Sequence, residues 1–318
     1  GDENTPLCQN CYDRHYLSCD RCGRIIHADD ACYTGDDDRE YPLCRACYAG
    51  RGTRRAIQDY SYKPEPLFRG DGPRYFGVEL EIDGAGEDDS SAREILEIAN
   101  RNGPEKLYCK HDGSLDDGFE LVTHPMTLDY HRKEMPWKKI LSCAVELGYK
   151  SHQAGTCGLH VHVNRSAFGD TEPAQDAVIA RILFFFEKNW EELLKFSRRT
   201  QHQLDQWAAR YGYKDQPKEI LDHAKSGRHA GRYTAVNLTN ADTVEFRMFR
   251  GTLKYNTLIA TLELLDCIID AAIYLTDDDL KAMSWSSFVI GCTQPELMQY
   301  LKERRLYVNE PVESEGEV

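Results

Sequence analysis

The sequence predicts an α+β fold behind a small cysteine-rich module, and three observations carry that expectation. Charged side chains alternate with aliphatic ones in four short segments, which is the period of a strand. Long apolar stretches at helical period, over 173–197 and 258–275, are interspersed with them. Seven of the 12 cysteines fall before residue 48, mostly as Cys-x2-Cys pairs.

Length and charge bound the possibilities. A chain of 318 residues suffices for one large domain and one small one. There are 53 acidic against 39 basic residues, a formal charge of −14. Part of it lies in Asp36-Asp37-Asp38, in Asp277-Asp278-Asp279 and in the glutamates after Tyr307, which read as solvated loops and an acidic tail over 309–318. This balance argues against nucleic acid as a partner. A local basic patch, Arg51, Arg54 and Arg55, could meet nucleic acid, but interdomain packing against the acidic main domain is the favoured reading. No run reaches 18 uncharged apolar residues, so no membrane span is expected. With no signal-peptide pattern and cysteines better suited to metal than to disulfides, the expected location is the cytoplasm.

Residues 1–50 form the cysteine module. Cys19 with Cys22, and Cys44 with Cys47, are thiolate pairs two residues apart, and two such pairs complete a tetrahedral zinc site. A segment this small and polar has no core of its own, so metal would supply its folding energy. Cys8, Cys11, His27 and Cys32 would close a second, interleaved site, with His15 a further candidate ligand. Alternatively, the Pro6-Leu7-Cys8 to Cys11-Tyr12 stretch, repeated at Pro42-Leu43-Cys44 to Cys47-Tyr48, is the end of an upstream finger. The arrangement is LIM-like or treble-clef-like. Four protein ligands leave zinc no open position, which favours a structural role.

Residues 51–73 read as a linker ending in Gly70-Asp71-Gly72-Pro73. The main domain is expected over 74–308. Its first strand, Phe76 to Ile82, places Glu79 and Glu81 on one face. A helix follows over 91–102, then a turn through Lys110-His111-Asp112-Gly113-Ser114, then a strand carrying Glu120. Residues 128–148 are helical with an interruption at Pro136. In Cys157-Gly158-Leu159-His160-Val161-His162-Val163-Asn164 both imidazoles share one strand face, an arrangement that suits a metal. A hairpin over 233–249 puts Glu245, Arg247 and Phe249 on one face and Val244, Phe246 and Met248 on the other.

The order Gly77-Val78-Glu79-Leu80-Glu81, Asp112-Gly113-Ser114 with Phe119-Glu120, Cys157-Gly158-Leu159-His160-Val161-His162, and Val244-Glu245-Phe246-Arg247 resembles the amidoligase family, among carboxylate–amine ligases of glutamine synthetase-like fold. The resemblance spans about 75–255 and excludes the cysteine module. It implies an antiparallel sheet with packed helices, and an ATP- and magnesium-dependent ligase that forms an amide or peptide bond through an acyl phosphate. By similarity, Glu81 and Glu120 would hold one magnesium ion, and Glu79, His160 and Glu245 another. Asp112 would join the first site or meet the amine, and His162 would bind substrate or nucleotide. Arg247 would grip the transferring phosphate, with Arg232 and Arg250 as further phosphate ligands. The zinc module makes a protein or peptide the expected substrate. Two other readings remain: an adaptor on a degenerate ligase fold, and a glutamate–cysteine ligase-like enzyme for small amino acids.

Overall fold

The structure, a computed structural model, describes residues 15–19, 24–36, 39–45, 55–101, 103–226 and 231–307. The chain divides into two compact units, Gly1–Arg55 and Ala56–Val318.

In the first unit, β1 (Tyr16–Ser18) pairs antiparallel with β2 (Ile25–His27), and β3 (Cys32–Asp36) with β4 (Arg39–Leu43). The amide of Cys19 donates to the carbonyl of Arg24 at 2.8 Å, closing the end of the first hairpin. Cys19 and Cys44 are buried together with Ile26 and Leu43. His27 stacks on His15, with ring centroids 6.1 Å apart, and Cys32 is half-buried at the start of β3. The other expected ligands, Cys8, Cys11, Cys22 and Cys47, lie outside the described residues.

The second unit is built on a seven-stranded sheet. Its further strands are β5 (Ile57–Gln58), β6 (Phe76–Ile82), β7 (Leu107–Lys110), β8 (Phe119–Thr123), β9 (Gly158–Asn164), β10 (Val236–Asn237) and β11 (Thr243–Arg250). The spatial order is β10-β11-β9-β6-β8-β7-β5. Every pairing is antiparallel except β5 with β7, so the sheet is mixed rather than wholly antiparallel as expected. The exception is a two-residue edge strand. The chain passes through β6 and a helix before returning beside it, and such a crossover permits parallel pairing. Residues 56–73, read from sequence as part of a linker, thus run along this unit: β5 joins the sheet and Arg69 bridges Met126.

Alternation decides which face of the sheet is core. Val78, Leu80, Leu121, Leu159, Val161, Val244 and Phe246 are fully buried on one face, each contributing about 1.5–3 kcal/mol. Helices α1 (Asp89–Asn100), α2 (Leu128–Lys133), α3 (Trp137–Glu146), α4 (Glu172–Lys188) and α5 (Trp190–Ser197) follow in order. After them come α6 (Gln201–Trp207), α7 (Pro217–Lys225), α8 (Tyr255–Tyr274), α9 (Asp277–Ala282), α10 (Trp285–Gly291) and α11 (Pro295–Glu303). Pro136 separates α2 from α3, since proline cannot supply the next helical N–H. The single apolar helix expected over 173–197 is broken at Asn189, which ends α4 and starts α5. Phe186 of α4 packs on Phe246 of β11, with ring centroids 5.6 Å apart. Helix α8 is buried along most of its length, as its nearly continuous apolar sequence requires.

One expected position is corrected here. Phe246 pairs with Val161 but Phe249 pairs with Leu159, so β11 has one residue more than β9 between those pairs. This β-bulge turns Phe249 to the core face, where it meets Phe196 edge-on at 6.0 Å. Phe249 therefore does not share the face of Glu245 and Arg247.

Candidate active site

The face opposite the core is polar, and strand register brings its side chains together. Glu79 of β6 lies directly across from His160 of β9, and Glu245 of β11 from His162. Glu81 of β6 faces Glu120 of β8. Gly77 opposes His162, where its missing side chain leaves room beside the imidazole. Glu79 and His162 are half-buried, whereas Glu81, Glu120, His160 and Glu245 are buried.

Two groups of ligand atoms result, each lying within 4.8 Å of one another: Glu79, His160 and Glu245, and Glu81, Glu120 and His160. His160 belongs to both. Its Nδ1 is 3.6 Å from Glu79 Oε2 and 3.9 Å from Glu245 Oε1, while its Nε2 is 3.9 Å from Glu81 Oε1. His162 Nε2 lies 3.2 Å from Glu79 and 3.9 Å from Glu245, and its Nδ1 is 3.2 Å from Thr243 Oγ1.

The supporting contacts fix the carboxylates in place. Glu81 accepts a hydrogen bond from the Gly158 amide. A side chain at Gly158 would run into His160 Nε2 at 2.6 Å and Arg199 Nη2 at 2.8 Å, so glycine lets both groups approach. Asn237 donates to Glu245 at 2.7 Å, and Arg247 pairs with the same carboxylate. Lys110 Nζ stands 3.9 Å from Glu120.

Electrostatics make this face costly without a cation. Like charges directly opposite on paired strands repel, and burying a carboxylate costs several kcal/mol unless it is compensated. Burial pushes Glu120 well above the ordinary carboxylate range, and the Glu79 and Glu81 charges add to it. Burial would raise Glu79 too, but the charges and contacts of His162 and His160 outweigh it and hold Glu79 well below that range. Glu245 is likewise lowered against its burial, by His162 and Arg247. His162 is raised by Glu79, also against burial. A set of carboxylate oxygens with one imidazole nitrogen fits a hard divalent ion such as magnesium or manganese.

Of the residues expected from sequence, Glu79, Glu81, Glu120, His160, His162, Glu245 and Arg247 converge. Asp112 lies in the turn after β7, where it accepts from the Ser114 amide at 2.7 Å, and it belongs to neither group. Arg232 is exposed and donates to the hydroxyls of Tyr60 and Tyr233. Its Cζ sits 4.9 Å from the Tyr233 ring, and that of Arg247 lies 5.8 Å from the same ring. Arg250 pairs by backbone with Gly158 and donates to the Arg198 carbonyl at 3.3 Å. Sequence reasoning missed Lys110, Asn237 and Arg199. The alternation of Tyr108 and Lys110 with buried Leu107 and Cys109 was a readable signal for Lys110. No local pattern marks Arg199, which sits in a polar loop.

Two groups of carboxylates competent for a divalent cation thus share one face of an antiparallel-dominated sheet, with Lys110 and Arg247 close by. Residues 97–269, just over half of the chain, match the family described as "Putative amidoligase enzyme". The chain belongs to that family, whose name denotes ligases joining a carboxyl group to an amine. Asp112, Glu120, His160, His162, Glu245 and Arg247 fall within the matched segment, whereas Glu79 and Glu81 precede it and reach the site through β6. No curated protein matches the chain. Among solved structures, the chain is similar to a bifunctional glutathione synthetase from Pasteurella multocida, at 15% identity and a TM-score of 0.35. That alignment covers 75% of this chain and 45% of the other, so the chain spans less than half of that protein's length. No described helix is long and apolar enough to cross a membrane.

Proposed function

We propose that this chain is an ATP-dependent carboxylate–amine ligase that forms an amide or peptide bond through an acyl phosphate. The observation that carries this reading is the convergence of Glu79, Glu81, Glu120, His160 and Glu245, from four strands, into two adjoining groups with Arg247 beside them. A carboxylate is a poor acyl donor because oxide is a poor leaving group. In the proposed reaction a carboxylate oxygen attacks the γ-phosphorus of ATP and ADP leaves. An amine nitrogen then attacks the acyl carbon, phosphate leaves, and the amine gives up a proton. Glu81 and Glu120 would hold one magnesium ion, and Glu79, His160 and Glu245 another, supplying charge neutralisation for the phosphates. Arg247 offers a planar fork matched to phosphate oxygens. Asp112, on the adjacent turn, would meet the amine.

The first unit is proposed to bind structural zinc through Cys19, Cys22, Cys44 and Cys47, and to recruit a protein or peptide substrate. The burial of Cys19 beside Cys44 supports this, because a core of that size needs a staple. Cys8, Cys11, His27 and Cys32 are proposed for a second zinc ion. The cytoplasm is the proposed location.

The test is turnover with magnesium and ATP across a panel of carboxylates and amines, with hydroxylamine as a trapping nucleophile. ADP, phosphate and a hydroxamate are expected. AMP with pyrophosphate would refute the acyl phosphate, and a protein that binds no nucleotide with any substrate would be an adaptor instead.

A further inference from the structure

An open surface cavity of about 630 Å³ is lined by His152, Lys195, Arg198, Arg199, Arg250 and Arg304, with Glu191 and Leu194 completing it. The volume is in the range that holds a small ligand. Its charge is anomalous for a chain whose acids outnumber its bases by 53 to 39. Lys195, Arg198, Arg199, Arg250 and Arg304 form no ion pair with a carboxylate among the described residues. Among the described residues, their side-chain hydrogen bonds go to backbone carbonyls instead. Arg304 donates to Lys195 at 3.2 and 2.8 Å, Arg250 to Arg198 at 3.3 Å, and Arg199 to Phe249 at 3.3 Å. Those contacts orient the guanidinium groups without neutralising them, and the buried Nε of Arg250 has no partner at all.

Arg198 has φ +61°, the left-handed conformation in which helices commonly end. It ends α5 and brings a second guanidinium next to Arg199 at the cavity wall. Burial, with Arg198, Arg250, Lys254 and Arg304 around it, lowers His152 to about 4, so at neutral pH it adds hydrogen bonding rather than charge.

The cavity adjoins the carboxylate groups through Arg199, whose Nη2 and His160 Nε2 both crowd the space over Gly158. Its lining holds no Phe, Tyr or Trp, and Leu194 is its one aliphatic side chain. Aromatic rings gather elsewhere on the unit: Tyr233 beneath Arg232 and Arg247, Tyr60 bonded to Arg232, and Trp207 edge-on to Tyr233 at 5.6 Å. We infer that the cavity receives the additional carboxylates of a polyacidic acyl substrate, an acidic peptide segment, whose reacting carboxyl group lies at the Glu79–Glu245 cluster. This rests on the ligase reading for the reacting group, but not for the binding of the acidic segment.

The test measures tetraglutamate and glutamate binding to the full chain by calorimetry, beside binding of a fluorescent ATP analogue with magnesium. Tetraglutamate should bind well above glutamate. Arg198→Gln should weaken tetraglutamate roughly tenfold, the loss of one charge-assisted contact, and leave the nucleotide within about twofold. Lys195→Gln serves as the second variant and, because Lys195 Nζ donates to the Arg305 carbonyl at 3.2 Å, the circular dichroism and thermal melt of each variant are compared with those of the parent. Equal losses for tetraglutamate and nucleotide would make the cavity a triphosphate site and overturn the inference. So would unchanged tetraglutamate affinity in both variants, or no tetraglutamate binding by the parent. A chain that binds no nucleotide but still loses tetraglutamate on Arg198→Gln would refute the ligase and keep the cavity.

Discussion

Glu245 is held by Asn237, faces both imidazoles and pairs with Arg247, so it tests the site most directly. Glu245→Gln keeps the side chain's size and its contact with Asn237 but removes one negative charge. Turnover should fall by at least about 100-fold, on the scale of losing one preorganised group that meets developing charge, while the far-ultraviolet dichroism stays unchanged. Arg247→Lys should be nearly as damaging, because an ammonium cannot reproduce a bidentate contact with phosphate oxygens. The two are separable by titrating magnesium: the glutamine variant should need more of it, and the lysine variant should not. If both variants turn over at the parental rate, the cluster is not the reaction centre.

At the scale of elements, α2, α8 and α11 meet at a buried acid. Glu263 of α8 accepts from the Leu297 amide at 2.7 Å, with Arg132 of α2 3.4 Å away. Burial, reinforced by Glu296 of α11, raises it to about 7. An acid raised on folding favours the protonated native state. Its contribution is complete below the unfolded value near 4.5 and is lost as pH rises through 7. Glu263→Gln keeps the acceptor without the charge. It should stabilise the chain by about 1–2 kcal/mol at pH 8 and by little near pH 4.5, allowing for partial relaxation of the shift. Thermal melts across that range will show it, and an equal effect at both ends would sink the assignment. Legibility from sequence also divides by element. The residues of β6, β8 and β9 were readable because period two alone sorts acids and imidazoles from aliphatics. The same rule failed at Phe249, because a bulge depends on pairing with another strand and leaves no mark in the local pattern. It failed at Asn189 because two helices joined by one residue keep the apolar content of one. The Arg198–Arg199 wall was invisible because its meaning comes from Arg250 and Arg304, 52 and 106 residues beyond Arg198 in the chain.

For the molecule as a whole, the division at Arg55 predicts that chelating the zinc proposed for the first unit leaves the second with its own unfolding transition, which calorimetry with and without chelator will check. Loss of both transitions together would contradict it. The cationic cavity has a kinetic corollary, because it is embedded in a molecule of formal charge −14. At long range an anionic ligand meets repulsion, and only within a few ångströms does it meet attraction. Salt screens the two unequally, since the Debye length shrinks from about 30 Å at 0.01 M to about 8 Å at 0.15 M. Association of tetraglutamate should therefore accelerate as salt is first added, while its residence time shortens. Stopped-flow measurements would then show an on-rate and an affinity moving in opposite directions, the reverse of electrostatic steering.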